Sequence, residues 1–512
     1  MKPNLSVVCI GAGPAGLTAA YLLAKQGILV TVLEQDPEYI GGISRTATYK
    51  GFLFDIGGHR FFSKSTEVND LWSELLDSDF LERPRKSRIY YRNKLFDYPI
   101  RAFDALSKLG PVEALRCVLS YAKAQLWRQP EAKTFEQWVT SRFGRRLFEI
   151  FFKTYTEKVW GMKCSEISAD WAAQRIKGLS LMTAIWHALL PQKTDRPSAE
   201  TIKTLLTTFR YPRRGPGMLW EEAARRIRQN GGQILLGRRA TSLQWDAASE
   251  CWTVIARTQS GSEQKIRCDH LISSMPLREL VGVLGPAPSR DAADAAGGLR
   301  YRDFLTVALI VKDRNLFDDN WIYIHDPSVK VGRIQNFKSW SPEMVPDADL
   351  NCYGLEYFCF EGDGLWTSSD ADLVRLARDE LVALGLADPD DIIDGTVVRQ
   401  QKAYPVYDAD YQNRVSAIAS ELEMDFPALH MVGRNGMHKY NNQDHAMMTA
   451  MLTVKNIVAG RRAFDVWRVN QDAEYHEDGE AIAQRPLDEH SSSAVGGERL
   501  VPAAVMGHRL RA

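Results

Sequence analysis

The sequence has no excess charge of either sign. Lys plus Arg and Asp plus Glu each number 64 in 512 residues, so the formal net charge is zero. Proteins that bind nucleic acid in bulk carry a basic surplus, so nucleic acid is not an expected partner. Cysteine is sparse. Cys9, Cys117, Cys164, Cys251, Cys268, Cys352 and Cys359 form no CxxC pair. An odd, dispersed set argues against a disulfide framework and for reduced thiols in a cytoplasmic protein. No metal-ligand spacing occurs, so no metal is expected. Long apolar runs are also missing: no stretch of about 18 uncharged apolar residues could cross a bilayer. No basic-then-apolar segment precedes the strand-like run at Leu5, so no secretory signal is expected. No solenoid or propeller repeat is present. What remains is an ordinary globular composition, 45% hydrophobic and 25% charged. The length is more than one core usually serves.

The strongest local pattern is at the start. An apolar run from Leu5 to Ile10 ends in Gly11-Ala12-Gly13-Pro14-Ala15-Gly16, helical character follows from Pro14 to Gln26, and a second β-branched run, Ile28 to Leu33, closes on Glu34. This is a βαβ unit. The first glycine permits the tight turn, the second lets the backbone approach a pyrophosphate, and the third allows close helix–strand packing. The helix N-terminus offers N–H groups and partial positive charge to phosphate. Glu34 stands where a carboxylate accepts hydrogen bonds from the adenosine ribose, with Gln35 beside it.

Further along, residues 103 to 190 read as mostly helical. Strands are expected at Gln233–Leu236, Cys251–Thr258 and Lys265–Ser273. A second β-rich stretch holds Phe304–Val311, Trp321–His325, Gly332–Phe337 and Tyr353–Phe360. Asp370–Leu384 and Asp444–Val458 read as helices, with a short strand at His430–Val432. The composition after about Asn470 is that of a solvated, disordered tail.

A second glycine pair, Gly41-Gly42, lies just past Glu34 and is followed by Ser44 and Arg45. With the late segment Val432-Gly433-Arg434-Asn435-Gly436-Met437, it resembles the FAD families that include amine oxidases, protoporphyrinogen oxidases and UDP-galactopyranose mutases. Several segments resemble the mutases in particular, in the same order. They are Asp55-Ile56-Gly57-Gly58-His59-Arg60-Phe61-Phe62, the stretch Ser87 to Ile100, Tyr155-Thr156-Glu157-Lys158-Val159-Trp160-Gly161, Tyr211 to Leu219, Arg333-Ile334, Tyr404-Pro405-Val406, and Gly433-Arg434 through Tyr440. The resemblance runs from about Val7 to Ala459.

It implies an α/β architecture: a Rossmann-type FAD-binding domain, an inserted helical domain and an antiparallel β-sheet substrate domain. The expected division is a cofactor domain in three pieces (1–100, 205–275 and 426–465), a helical domain (101–204), a sheet domain (276–425) and a tail (466–512). The implied cofactor contacts are Gly11, Gly13, Pro14, Ala15, Gly16, Glu34, Gln35, Gly41, Gly42, Ser44, Arg45, Gly57, Gly58, His59, Gly433, Arg434 and Met437. By the same resemblance Arg333 and Tyr440 hold a diphosphate, Tyr155 and Tyr404 line the phosphate side, and Trp160 walls the sugar pocket. His59 and Arg434 lie near the flavin. Arg offers paired planar donors to phosphate oxygens, and Tyr adds neutral donors on a rigid body. The implied activity is a redox-neutral exchange of an activated sugar between pyranose and furanose through a flavin N5 adduct. It would use reduced FAD, with NAD(P)H as external reductant, in the biosynthesis of cell-surface polysaccharide.

Two positions depart from the mutase pattern. Leu179, in Arg175–Ser180, stands where the family's diphosphate-closing Arg falls. Asn442 stands where an acidic residue is expected. A sugar on a polyprenyl phosphate is therefore weighed beside a nucleotide sugar. A true flavin oxidoreductase of amine oxidase, protoporphyrinogen oxidase or desaturase type is the alternative activity, and a non-catalytic escort protein on the same fold is a third. The stretch Ala102–Gln129 carries Lys108, Arg116, Lys123 and Arg128 among Leu, Val, Tyr and Trp. Such a stretch can lie on a membrane surface, making the protein membrane-peripheral, or pack within its own domain with a solvated basic face.

Overall fold

A computed structural model describes residues 5–98, 100, 102–127, 132–169 and 208–470. The expected loop Arg175–Ser180 and the expected tail lie outside the described residues. Five parallel strands form one sheet, in the order Leu429–Met431, His270–Ser273, Ser6–Ile10, Leu29–Leu33, Gln233–Leu235. Their apolar runs suit strands covered on both faces. The helix Pro14–Lys25 covers one face and packs against the helices Gly217–Gln229 and Gln443–Ala459. The helix Gln443–Ala459 is almost wholly buried, so it reads as apolar all round and not as a stripe.

A four-stranded sheet comes next, in the order Glu263–Cys268, Cys251–Arg257, Arg239–Asp246, Leu284–Gly285. The sequence suggests one strand over 265–273. The structure breaks it at Asp269 and gives each half to a different sheet. The Asp269 carboxylate accepts from the backbone N–H of Ser6 (2.9 Å) and its hydroxyl (2.8 Å), which pins the crossing point to the first strand.

The third sheet has seven strands: Ile392–Pro405, Tyr301–Lys312, Leu350–Cys359, Arg333–Asn336, Trp321–Ile324, Ser87–Tyr91, Lys94–Asp97. All pairings are antiparallel except Trp321–Ile324 on Ser87–Tyr91, which is parallel. Residues 87–97 lie within the first expected piece of the cofactor domain, yet they extend this sheet, because the Ser87–Tyr91 backbone finds its partner there and not in the cofactor sheet. The 14-residue strand Ile392–Pro405 is not among the strands expected from the sequence. It is a sheet edge with a half-wet face, so its Asp, Arg, Gln and Lys hide the period-2 pattern. The register sets Arg333 opposite Glu356 and Arg302 opposite Tyr404.

The helical layer runs through Ala102–Leu109, Pro111–Leu126, Phe135–Phe143 and Arg145–Phe148, then a π-helical turn Glu149–Lys153, to Thr154–Trp160. A π turn inserts a residue and rotates the helix beyond it, a device found at functional sites. Here it sets the face presented by Tyr155 and Trp160. Phe135, Phe148, Phe151 and Trp160 share one apolar cluster with Phe304 and Tyr404 of the large sheet.

Burial lowers four histidines, His59, His325, His430 and His438, and makes the fold acid-sensitive; the two least exposed illustrate it. Burial pulls His325 down to about 3 and His438 to about 4. Both are neutral in the folded chain, whereas the unfolded chain protonates them near pH 6.5. The stability they contribute is therefore complete above about pH 6.5 and lost as pH falls toward 3–4. Between pH 7 and 5 each should cost at most about 2 kcal/mol. Denaturant titrations at the two pH values should show that loss, and His325→Gln should make it shallower.

Candidate functional site

The dinucleotide end is built from backbone. Gly11 has a φ of 95° and donates its N–H to Leu33 O at 2.8 Å. A Cβ there would lie 2.3 Å from Ser274 Oγ, and one on Gly16 would lie 1.9 Å from the Gly11 carbonyl oxygen. The two glycines are thus demanded by the turn and its packing. Gly13 precedes the helix Pro14–Lys25, whose first turn has no side-chain cap, so its N–H groups are available to a ligand. The Gly42 backbone faces Gly13: a Cβ on Gly42 would come within 3.3 Å of Gly13 Cα. Glu34 accepts from the N–H of Ala12 (2.7 Å) and Asp36 (2.9 Å), and burial pushes its carboxyl up.

These groups line a cavity of about 470 Å³. Gly11, Gly13, Pro14, Ala15, Glu34 and Gln35 form one end, and Gly42, Ser44 and Arg45 adjoin them. Gly433 and Arg434 continue the wall with Asn441, Asn442 and Gln443, at the N-terminus of the helix Gln443–Ala459. A carboxylate, two facing glycine backbones, an uncapped helix start and a second helix start fit an ADP moiety leading to an electron-rich ring. Gly16 and Gly41 stand behind the wall; Gly41 donates to Ala12 O at 2.7 Å and fixes the turn. Met437 lies deeper still. Its side chain is fully buried in the apolar cluster with Leu277 and Tyr301 and does not line the cavity.

Beside Arg434 of this wall lies an ionic and aromatic group. Glu356 has no exposure and accepts from Arg333 Nε at 2.6 Å and Gln335 Nε2 at 2.7 Å. Glu356 holds the Arg333 charge against burial, and Tyr155, Tyr404 and Tyr323 lie around the guanidinium. Tyr404 and Tyr440 stack with centroids 5.5 Å apart and planes 12° apart. Trp160 lies 6.4 Å from the first and 6.1 Å from the second. The Arg434 guanidinium sits over both rings, 5.5 and 5.2 Å from their centroids, and donates to Asn441 O and Ala403 O. Tyr155 stacks on His325 at 5.2 Å and meets Tyr323 edge-on.

Gly57 and Gly58 bring their loop against this group. Gly57 would place a Cβ 3.8 Å from an Arg333 nitrogen, and Gly58 one 2.8 Å from Gln335 Nε2. His59 is next in the chain, its Nδ1 3.1 Å from Gly57 O. That partner assigns the proton to Nδ1 and leaves Nε2 as an acceptor. Burial and the cations Arg434 and Arg333 pull His59 down to about 3. At neutral pH it is an uncharged ring among cations.

The Tyr155–Gly161 segment is legible in physical terms. Lys158 donates to the carbonyls of Ile324, Asp326 and Val331, clamping the helix to the large sheet. Glu157 accepts from Cys164 N–H. Gly161 ends the helix with φ 61°, and a Cβ there would strike the Arg302 guanidinium. Arg302 donates to Val159 O, Lys158 O and Phe358 O. Tyr155 and Trp160 of the segment join the ring cluster through Tyr323, Tyr404 and Tyr440.

The structure thus brings His59, Arg333, Tyr155, Tyr404, Tyr440, Trp160 and Arg434 together. Asn442 begins the helix Gln443–Ala459 in a reciprocal capping pair with His445, an N-terminal role an amide fills well. His438 and His445 make structural contacts of that kind. Sequence reasoning missed Glu356, Gln335, Arg302, and the Asp55–Tyr211 pair, buried at 2.6 Å. A lone carboxylate in the apolar run Leu350–Cys359 was the available signal for Glu356.

A family model described as flavin containing amine oxidoreductase matches residues 14–433. A Klebsiella pneumoniae protein named "Probable UDP-galactopyranose mutase" is 27% identical over 176 residues, 33% of this chain and 44% of that protein. Protoporphyrinogen oxidase 2 of Arabidopsis thaliana is 22% identical over 471 residues, 84% of this chain and 89% of that protein. A crystal structure of reduced UDP-galactopyranose mutase superposes with a TM-score of 0.77 at 22% identity, over 93% of this chain and 98% of that one. At this identity the likeness is one of fold.

Glu356→Ala would leave a buried guanidinium without its counter-charge. It should destabilise the protein by about 3–5 kcal/mol in denaturant unfolding. Glu356→Gln, which keeps an acceptor, should cost less.

Proposed function

The chain belongs to the flavin containing amine oxidoreductase family, whose members are FAD-dependent enzymes, and from that premise we propose that it is a redox-neutral mutase. Its substrate is an activated sugar, carried on a nucleotide or a polyprenyl phosphate, and the product is the other ring form, pyranose or furanose. The observation that carries the proposal is the wall itself. An oxidase for an apolar substrate needs a greasy cavity beside the flavin, whereas here two arginines, three tyrosines and a tryptophan converge.

Bound in its reduced form, the flavin would supply a nucleophile with no net transfer of electrons. The chain's own residues do the rest. Arg333, with Nε committed to Glu356, keeps its terminal nitrogens for phosphate oxygens. Charge that gathers on a departing phosphate is stabilised there more than in the ground state. The hydroxyls of Tyr155, Tyr404 and Tyr440 add neutral donors. Trp160 supplies a flat apolar face on which a sugar ring can stack. Neutral His59 polarises without adding a third positive charge. NAD(P)H is the proposed reductant.

A second reading, a net-redox flavin oxidoreductase, is favoured by the long match to protoporphyrinogen oxidase and by Phe304 and Phe358 beside Tyr404. The test is chromatographic. Protein reduced with dithionite, and the oxidised form, are incubated with UDP-galactose and with galactosyl polyprenyl phosphate, and the ring forms of the product are separated. Interconversion by the reduced form alone is expected. No interconversion with either carrier, together with flavin bleaching by an amine or a porphyrinogen, would establish the oxidoreductase.

Two variants separate the ends of the site. Arg333→Ala should lower kcat/KM by about 100-fold or more while the flavin stays bound. Glu34→Ala should instead yield protein with less FAD per chain, read from the visible absorbance of the purified protein.

A further inference from the structure

The outer face of the helical layer carries a surface that the reaction does not use. Of the eleven large hydrophobic side chains that stand exposed among the described residues, six lie on the helix Pro111–Leu126 and its cap. Val112 is 66% exposed, Leu115 59%, Leu119 60%, Leu126 77% and Trp127 71%. With Val118, the helical residues among them fall on a single stripe about 120° wide. Scattered apolar residues need no explanation, but a continuous exposed stripe does.

Its chemistry is asymmetric. Arg116 and Lys123 emerge along one edge of the stripe, and both are exposed. Arg92, in the turn between Ser87–Tyr91 and Lys94–Asp97, acts on Glu113 from that same flank together with Arg116. Glu113, the only acid of the helix, is shared by Arg146 and, at 3.7 Å, by Arg116, so cations outnumber it along this edge. The edge is therefore cationic in a chain whose net charge is zero. The opposite face of the helix buries Cys117 in the apolar cluster that includes Trp160, Phe304 and Tyr404. The stripe is the outer side of a layer whose inner side backs the site.

We propose that this face seats the protein on an anionic lipid bilayer. The Leu/Val stripe and Trp127 enter the boundary between headgroups and acyl chains, and Arg92, Arg116 and Lys123 meet lipid phosphates. No described helix is long and apolar enough to cross a membrane, so the contact is peripheral. Charge complementarity selects a bilayer over a second copy of the chain: two such faces brought together would oppose their own cationic edges. The proposal goes beyond the reaction assigned above and holds for a mutase or an oxidoreductase alike.

The test is co-sedimentation of the full chain with vesicles of phosphatidylcholine alone and with vesicles in which roughly a third of the lipid is phosphatidylglycerol. Binding to the anionic vesicles should be at least about tenfold stronger and should fall with salt. Leu115→Glu with Leu119→Glu should lower it about tenfold or more, with the flavin spectrum and melting temperature unchanged. Should that double variant lose its flavin, Arg116→Glu with Lys123→Glu decides: it leaves the stripe intact and must abolish the preference for anionic lipid. Equal sedimentation of wild type and variants overturns the proposal, as does failure to bind either vesicle. A concentration-dependent dimer that Leu115→Glu with Leu119→Glu dissolves, in a chain that ignores vesicles, would assign the face to a second copy instead.

Discussion

A carboxylate with no exposure to water, in the middle of an apolar strand, is costly unless its charge is met at once. Glu356 is that carboxylate, and Arg333 and Gln335, side by side on the neighbouring strand, meet it. Much of the reactive end depends on this. The pair holds Arg333 at a fixed height in the sheet. Tyr155, Tyr404 and Tyr323 then gather round the guanidinium, and the loop beside it has Gly57 at φ 89° and Gly58 close against Gln335. A strand slip of one residue would turn Glu356 to the other face of the sheet and leave both charges alone. Register and site are therefore specified by one ion pair.

The same logic recurs with backbone as the partner. Lys158 and Arg302 each donate to several carbonyl oxygens, and between them they join the helix Thr154–Trp160 to the large sheet. Burial pulls Lys158 down to about 8, which shows how dry the junction is. Cations used this way position others, and the aromatic wall owes its geometry to residues that never touch a ligand.

The cofactor end was readable because its constraints are local. Gly11, Gly13, Gly16 and Glu34 lie within one βαβ unit, and each is required by a turn, a close approach or a strand end. The wall residues were readable only through resemblance, since Tyr155, Arg333, Tyr404 and Tyr440 are scattered over almost 300 positions. What stayed hidden has physical reasons. Ile392–Pro405 is an edge strand whose polar residues mask its period. The run 265–273 looks continuous because a sheet switch at Asp269 needs no loop. Met437 resembles a cofactor neighbour by position, but its side chain turns into the core. Partners such as Glu356 and Arg302 show in the sequence only as isolated charges among apolar neighbours, with nothing to say whom they meet.

The parallel cofactor sheet draws on residues 6–10, 29–33, 233–235, 270–273 and 429–431. Its edge strand comes from beyond residue 428, and the helix whose N-terminus closes the cavity lies after that strand. During synthesis the first βαβ unit leaves the ribosome with its pairing edges open, and they are filled only by Gln233–Leu235 and His270–Ser273, some two hundred residues later; the sheet is complete only when Leu429–Met431 pairs on His270–Ser273. Pairings so distant in the chain are slow to form. Until then the nascent chain exposes unpaired strand edges of the kind that aggregate or recruit chaperones. The cavity draws its lining from both Gly11–Ala15 and Gly433–Gln443, so it is whole only after the last of these has joined the sheet.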